Sequence, residues 1–470
     1  MIFNCKKAYL IGIKGTGMTA LAKIMKDLGI NIVGSDVKKK FFTDEVLKHN
    51  KINFYEGFSQ KNLKKELPVD IVISSVAYFQ PGKKTENPEL KFAQKNNIPI
   101  ITYPQAVAEI FNQSFGIAVC GSHGKSSTTA ILGKVFKDMG FDPTVLVGSE
   151  VIEWKSNSLV SENFKKKINF LNKNESKLNN LDWLRKNLKK LPIFIIEADE
   201  YRDAFLNYRP RIIIITNIDY DHPDYFKTAK NYQQSFYRFI LNLQSPKILI
   251  YYKNEIKRKI LDKSIRANSI YFSPSLSFPF PFPGTHFQKN LQLIHKLIKI
   301  LNLSDKKFIK SLRTYKGIKR RFEIIGHFNK IYLIDDYAHH PTEVLSYFKS
   351  LKIAFPYQKI FFIFQPHTFT RTHFLFKEFK KVFSCLKKDS LTFPIIYKTF
   401  ASAREKTKLL KIKNLKKDIF LAQTLRIPFF NNKRKLVKFL EEKLSPDTII
   451  TTVGAGDVYK ILDELIIKKH

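Results

Sequence analysis

The feature that most constrains this chain is a glycine loop set between a strand and a helix. Residues 116–120 form a short apolar run, Gly121-Ser-His-Gly-Lys-Ser126 follows at once, and a helical pattern then extends to about residue 139, closed by Gly140. Backbone N–H groups in such a loop surround phosphate oxygens, and the start of the following helix adds positive potential. Lys125 is spaced to reach the β- and γ-phosphates, and the Ser126 hydroxyl to bind Mg²⁺. Val119 stands where the common pattern has a glycine. The expectation is an ATP-type site on Gly121, Ser122, His123, Gly124, Lys125, Ser126 and Ser127. A strand that feeds a helix in this way belongs in an α/β fold with a mostly parallel sheet.

The rest of the chain keeps that rhythm. Strands are expected at residues 8–11, 30–33, 70–75 and 99–101, with a helix over 18–28 stopped by Gly29. Buried strands are expected at 193–196 and 212–216, from their length and β-branching. Further strands at 331–334, 360–364 and 448–453 each end in polar residues, which points to a site at the carboxyl edge of a sheet. At 470 residues the chain has room for about three domains. The boundaries expected are 1–112, 113–315 and 316–470. Residues 155–190, rich in Lys and Asn and weakly patterned, read as an insertion or flexible loop without catalytic residues. Phe278-Pro-Phe-Pro-Phe-Pro283 reads as a rigid extended connector.

Composition narrows the class. Hydrophobic residues make up 44% of the chain, enough for packed cores. The three cysteines, Cys5, Cys120 and Cys385, lie far apart, so neither a disulfide framework nor a zinc site is expected. No signal peptide is expected at the start, and no apolar run is long enough to span a bilayer. The expectation is a cytoplasmic protein with no membrane partner. The net charge is +40, but the lysines are scattered and no arginine-rich or RNP-like motif occurs. That pattern fits compositional bias on solvated faces, and no nucleic-acid partner is expected.

Other clusters surround the loop in sequence. Gly12-Ile-Lys-Gly15-Thr-Gly17 follows the first strand, with Asp36 about twenty residues on. The order GxxGxG differs from GxGxxG, so the turn supports a nucleotide diphosphate without specifying NAD. Glu197-Ala-Asp-Glu200 and Asn217-Ile-Asp-Tyr-Asp-His222 each follow a strand and offer carboxylates for Mg²⁺. Asp335-Asp-Tyr-Ala-His-His-Pro-Thr-Glu343 and Phe364-Gln-Pro-His-Thr-Phe-Thr-Arg371 concentrate polar groups after two more strands.

Taken in order, GSHGKSST, EADEY, NIDYDH, KRRFE, DDYAHHPTE, FQPHTFTRT and VGAGD resemble the Mur ligases of bacterial cell-wall synthesis, from about residue 8 to residue 460. The resemblance implies a UDP-binding Rossmann-like domain, a central ATPase domain and a C-terminal Rossmann-like domain that receives an amino acid. DDYAHHPTE with FQPHT points to the member that joins L-alanine to the lactyl carboxylate of UDP-N-acetylmuramate through an acyl phosphate. It further implies that Lys125, Glu197, His222, Arg321 and Asp336 are catalytic, and that Ser126, Glu197 and His222 hold metal. Asn290 is expected near the adenine, with Arg321 and Asp336 touching ATP once the C-terminal domain closes. Gly15, Thr16, Gly17, Asp36 and Ser75 match the UDP-sugar end, and Tyr337, His339 and Arg371 the amino-acid end. Ser126 replaces the family's usual threonine, and Phe287 an asparagine. The implied cofactors are ATP and Mg²⁺, and the implied state is a monomer or weak homodimer. Three alternatives stand beside this reading. One is a ligase that attaches a whole tripeptide to the same UDP-sugar, against which FQPHTFTRT argues. Another is a folate polyglutamate ligase, which would lack the first domain. The third, a basic nucleic-acid-binding NTPase, would leave DDYAHHPTE and FQPHT without a role.

Overall fold

The computed structural model describes residues 2–41, 43–79, 82, 85–223, 225–256, 269–272, 277–400 and 416–467. Among these, the strands form three sheets, and the chain divides into two compact units. One unit comprises Met1–Asp219, Gln233–Pro279 and Asn290–Lys316; the other comprises Tyr220–Tyr232, Phe280–Lys289 and Gly317–His470.

In the first unit, β1 (Lys7–Ile11), β2 (Asn31–Asp36), β3 (Asn53–Glu56), β4 (Ile71–Ser74) and β5 (Ile100–Thr102) pair in the order β3-β2-β1-β4-β5, all parallel. The order reverses between β1 and β4, the position where open α/β sheets form a ligand crevice. The helix Thr16–Asp27 begins directly after the glycine turn and buries Met18, Leu21, Ile24 and Met25, a period-3.6 stripe.

The second sheet of this unit contains β6 (Phe115–Cys120), β7 (Thr144–Val151), β8 (Ser156–Leu159), β9 (Ile193–Glu197), β10 (Ile212–Ile215), β11 (Ile248–Tyr252) and β12 (Ser269–Phe272). Its order is β12-β11-β10-β6-β9-β7-β8, with only the β7–β8 pair antiparallel. All of β6 is buried, as expected for a strand covered on both faces. Register sets the site: Val119 lies beside Glu197, and Cys120 beside Ile215. Whatever follows β6, β9 and β10 therefore emerges at one edge.

Residues 155–190 differ from the flexible loop expected. They hold β8, the helices Phe164–Asn174 and Leu181–Asn187, and 3₁₀ turns. The physical reason is a sparse apolar stripe within the Lys/Asn background. Phe164, Ile168 and Leu171 recur at helical spacing, and Leu178, Leu184 and Leu188 are also buried. Arg185 Nε donates to Ile300 O at 3.0 Å, and Phe170 stacks on Trp183.

The second unit is built on β13 (Glu323–Phe328), β14 (Ile331–Asp336), β15 (Lys359–Phe364), β16 (Thr392–Tyr397), β17 (Phe429–Phe430) and β18 (Thr448–Val453), in the order β13-β14-β18-β15-β16-β17. Only β13 runs antiparallel to its neighbour. Two apolar clusters cover the sheet. Ile334, Phe362 and Phe364 enter one; Leu333, Phe361 and Ile363 enter the other. Alternate residues of one strand feed opposite faces, which is why these strands read as continuous apolar runs. The connector ends in packing of its own: Phe287 lies against Phe280 and Phe282, with ring centroids at 5.6 and 5.9 Å.

Leu184 is fully buried. Leu184→Ala is therefore expected to cost about 2–5 kcal/mol in urea denaturation, the usual range for a truncated core leucine. A change within about 0.5 kcal/mol, typical of exposed sites, would return 155–190 to the class of mobile loops.

Candidate active site

The loop after β6 is held by residues that follow β10. Thr216 Oγ1 donates to His123 O at 2.6 Å, and Asn217 pairs with His123 through both its amide oxygen and nitrogen at 3.0 Å. Ser122 N donates to Asn217 O at 3.2 Å. Gly121 has φ +136°, and a Cβ there would stand 2.1 Å from Thr216 Oγ1, so only glycine fits. The helix Lys125–Asp138 starts on Gly124 without a side-chain cap, leaving its first N–H groups for a ligand.

Lys125 Nζ lies over this loop. It donates to Gly121 O at 2.5 Å, Ser122 O at 3.2 Å and Glu200 Oε2 at 2.9 Å. Burial works against its charge, but Glu200, Asp199 and Glu197 outweigh that and hold the ammonium above its usual range. Lys125 is thus a permanent cation. Ser126 Oγ donates to Glu197 Oε1 at 2.9 Å, while Gly148 N donates to Glu197 Oε2 at 2.6 Å. Burial raises the Glu197 carboxyl, against the pull of Lys125 and these two donors. A hydroxyl and a carboxylate side by side are oxygen donors, the chemistry a hard divalent cation takes. Ser127 is buried in the first turn of the same helix. Asn290, expected near a base, has its amide against Gly124: a Cβ there would be 2.7 Å from Nδ2. Glu200, Thr216, Asn217 and Gly148 carry no assigned role in the sequence reading. The EADE and NID clusters signal them, but only strand register shows which members face the loop.

The first-sheet residues also gather at one edge. Gly15 precedes the helix Thr16–Asp27, and Gly15 N donates to Gly12 O at 3.1 Å. Asp36 ends β2 and accepts from Lys14 N and Val37 N, both at 2.7 Å. Ser75 follows β4 and donates from its backbone N to Ile11 O at 3.0 Å. Gly15, Thr16, Gly17, Asp36 and Ser75 therefore surround the crevice where the sheet order reverses.

In the second unit, Asp336, Phe364 and Val453 stand in register at the ends of β14, β15 and β18. The neighbouring acids differ in task. Asp335 Oδ2 takes Arg320 Nε at 2.7 Å. Asp336 accepts the Phe322 and Ala338 amides, each at 2.8 Å. Burial pushes the Asp336 carboxyl up to about 6, against Arg321 and those amides. Arg320 also donates to Gly454 O and Gly456 O and is structural, whereas Arg321 lies over Tyr337 and 3.7 Å from Glu343. A chain of rings then leads from Tyr337 to His339 and on to His367, with centroids 5.5 and 5.6 Å apart. Arg371 Nη1 meets His367 Nδ1 at 3.1 Å. The three expected amino-acid residues are thus brought together, and His367 joins them.

Arg371 has a carboxylate partner already. Its Nε and Nη2 donate to Asp221 at 2.9–3.1 Å, and both residues are buried. Burial alone would raise the Asp221 carboxyl, but Arg371, then His222, His340 and His339, hold it well below the usual range. His222, the next residue, has φ +56° and donates its backbone N to Asp221 Oδ1 at 2.6 Å.

Fold and site together define an α/β nucleotide-binding protein that carries a phosphate loop on its central sheet and ligand edges on the two others. The chain belongs to the Mur ligase family: residues 7–115 match its catalytic-domain model, 119–329 its middle domain and 320–456 its glutamate ligase domain. A UDP-N-acetylmuramate–L-alanine ligase of Desulfitobacterium hafniense is 32% identical, with 97% of this chain and 99% of that one covered. Its counterpart in Borreliella burgdorferi is also 32% identical, over 97% and 98%. Among solved structures, a UDP-N-acetylmuramate–alanine ligase of Thermotoga maritima superposes with TM-score 0.72 at 20% identity, covering 98% and 99%. A murein peptide ligase of Psychrobacter arcticus gives 0.61 at 18% identity, covering 98% of each chain.

Asp221→Asn strands a buried guanidinium and is expected to cost about 3–5 kcal/mol at pH 7.5. Because the native carboxyl titrates below the unfolded one, its contribution is full above about pH 4 and is lost as pH falls further. Urea denaturation should show the gap between wild type and variant narrowing only below about pH 4.

Proposed function

We propose that this protein joins L-alanine to the lactyl carboxylate of UDP-N-acetylmuramate, with ATP converted to ADP and phosphate. The observation that carries this reading is the Lys125 ammonium, held charged by Glu200 in a strand–loop–helix phosphate site, in a chain related to such ligases over nearly its whole length. A carboxylate is a poor acyl donor at neutral pH, so the reaction needs a leaving group. One carboxylate oxygen forms a bond to the γ-phosphorus as the bond to ADP breaks. The alanine amine then attacks the acyl carbon, loses a proton, and phosphate leaves as the tetrahedral intermediate collapses. Lys125 stabilises charge on the transferring phosphoryl group, the main task in such transfers.

The remaining roles follow by position. Gly121 to Ser127 cradle the ATP phosphates, and Asn290, Arg321 and Asp336 make further ATP contacts. Ser126 and Glu197 are the residues that would hold Mg²⁺; His222 is assigned to metal on its match alone. Bound there, Mg²⁺ would neutralise phosphate charge. Gly15, Thr16, Gly17, Asp36 and Ser75 take the UDP-sugar, and Tyr337, His339 and Arg371 the amino acid. Arg371 meets the alanine carboxylate with its Nη1 edge, the edge that Asp221 leaves. No helix of the described residues is long and apolar enough to cross a membrane. The ATP requirement favours the cytoplasm, with a monomer or weak homodimer as the working form.

Phosphate release from ATP and UDP-N-acetylmuramate should depend on L-alanine and exceed that with glycine, L-serine or the tripeptide. Release indifferent to L-alanine would contradict the reading. Lys125→Ala should lower kcat by at least about 10³-fold while UDP-sugar affinity, measured calorimetrically, stays within a few-fold. Near-normal turnover would remove Lys125 from the chemistry.

A further inference from the structure

Tyr103 lies between two sites and is used by neither in the reading above. It opens the helix Tyr103–Asn112, directly after β5, where Thr102 and Gln105 form a capping box and Pro104 sits in the first turn. Its backbone position is thus fixed, and its ring is half-buried. The ring crosses Gly17: a Cβ on Gly17 would stand 2.7 Å from both Tyr103 Cζ and the hydroxyl oxygen. Gly17 is in the first turn of the helix Thr16–Asp27, so the phenol ends where that helix presents its free N–H groups. The glycine at 17 is explained by this crossing; any side chain there would displace the phenol.

The other side of Tyr103 faces the central site. Its hydroxyl is perturbed by the Glu197 and Asp199 carboxylates, as well as by burial, and all three effects raise its pKa. The group is therefore a neutral donor at every physiological pH. Among the described residues its hydroxyl has no hydrogen-bond partner. A half-buried donor without an acceptor, beside open helix N–H groups, lacks an anion on its outer side. Packing keeps the two sheets of this unit together at this point: Asn157 Nδ2 donates to Thr16 O at 3.3 Å, and Lys23 Nζ to Ser156 Oγ at 3.4 Å.

We propose that the Tyr103 hydroxyl donates a hydrogen bond to the diphosphate of the sugar nucleotide, on the Gly17 side of the crevice, and so directs the sugar toward the Lys125 loop. This rests on the UDP-sugar reading given above. The diphosphate is favoured over the lactyl carboxylate because the hydroxyl touches Gly17, within the turn assigned to UDP.

The test is Tyr103→Phe, which removes one oxygen and keeps the ring. Calorimetry on the full chain should show UDP and UDP-N-acetylmuramate each binding about tenfold more weakly, the usual loss for a hydrogen bond to a charged group. ADP affinity should be unchanged, which also reports that the variant is folded. In turnover, KM for UDP-N-acetylmuramate should rise while kcat stays within about twofold. Unchanged affinity for both uridine nucleotides would overturn the proposal. Weakening of UDP-N-acetylmuramate alone, with UDP unaffected, would overturn the diphosphate assignment. A wild-type chain that binds neither uridine nucleotide would instead remove the UDP-sugar reading itself, before the variant is compared.

Discussion

The central site depends on one buried balance of charge. Lys125 loses most of its water, and so does Glu200, which is fully buried. An isolated ammonium in that position would be costly; the 2.9 Å contact with Glu200 and the loop carbonyls offsets the cost. Truncating either partner would leave the other charge unpaired. The same arrangement holds the cation at the end of a helix that has no side-chain cap. A cation and uncapped N–H groups converging on one loop suit a polyanion, and the parallel register of β6 with β9 brings Glu197 alongside.

The second unit shows how neighbouring residues of one type separate into different tasks. Arg320 is committed to Asp335 and to the Gly454 and Gly456 carbonyls, while Arg321 lies over Tyr337. Asp335 and Asp336 point to opposite sides of β14 because side chains alternate along a strand. Asp335 then meets Thr452, and Asp336 gathers the Phe322 and Ala338 amides. Arg371 is the clearest case of context overriding motif. Its fork suits a free carboxylate, yet Asp221 takes two of its nitrogens, leaving the edge that faces His367.

Much of the architecture was legible because it rests on local signals. Uninterrupted apolar runs such as Ile212–Ile215 have only one stable home, a strand covered on both faces. Gly29 and Gly140 stop helices by taking positive φ. Residues 155–190 misled because abundant Lys and Asn mask a stripe of only a few apolar side chains, and those few suffice once a neighbouring surface receives them. The short strands β3 and β17 were likewise hidden, since pairing with a longer neighbour defines them more than their own residues do.

The sequence by itself determined the element types, the phosphate loop and the set of polar clusters at strand ends, because propensity, glycine placement and hydrophobic period act over a few residues. Tertiary structure decided which members of those clusters meet. Glu200 rather than Asp199 pairs with Lys125, Thr216 and Asn217 hold the loop, Asp221 takes Arg371, and Tyr103 lies across Gly17. Each of these contacts joins residues far apart in the chain, and strand order and register alone bring them within hydrogen-bond distance.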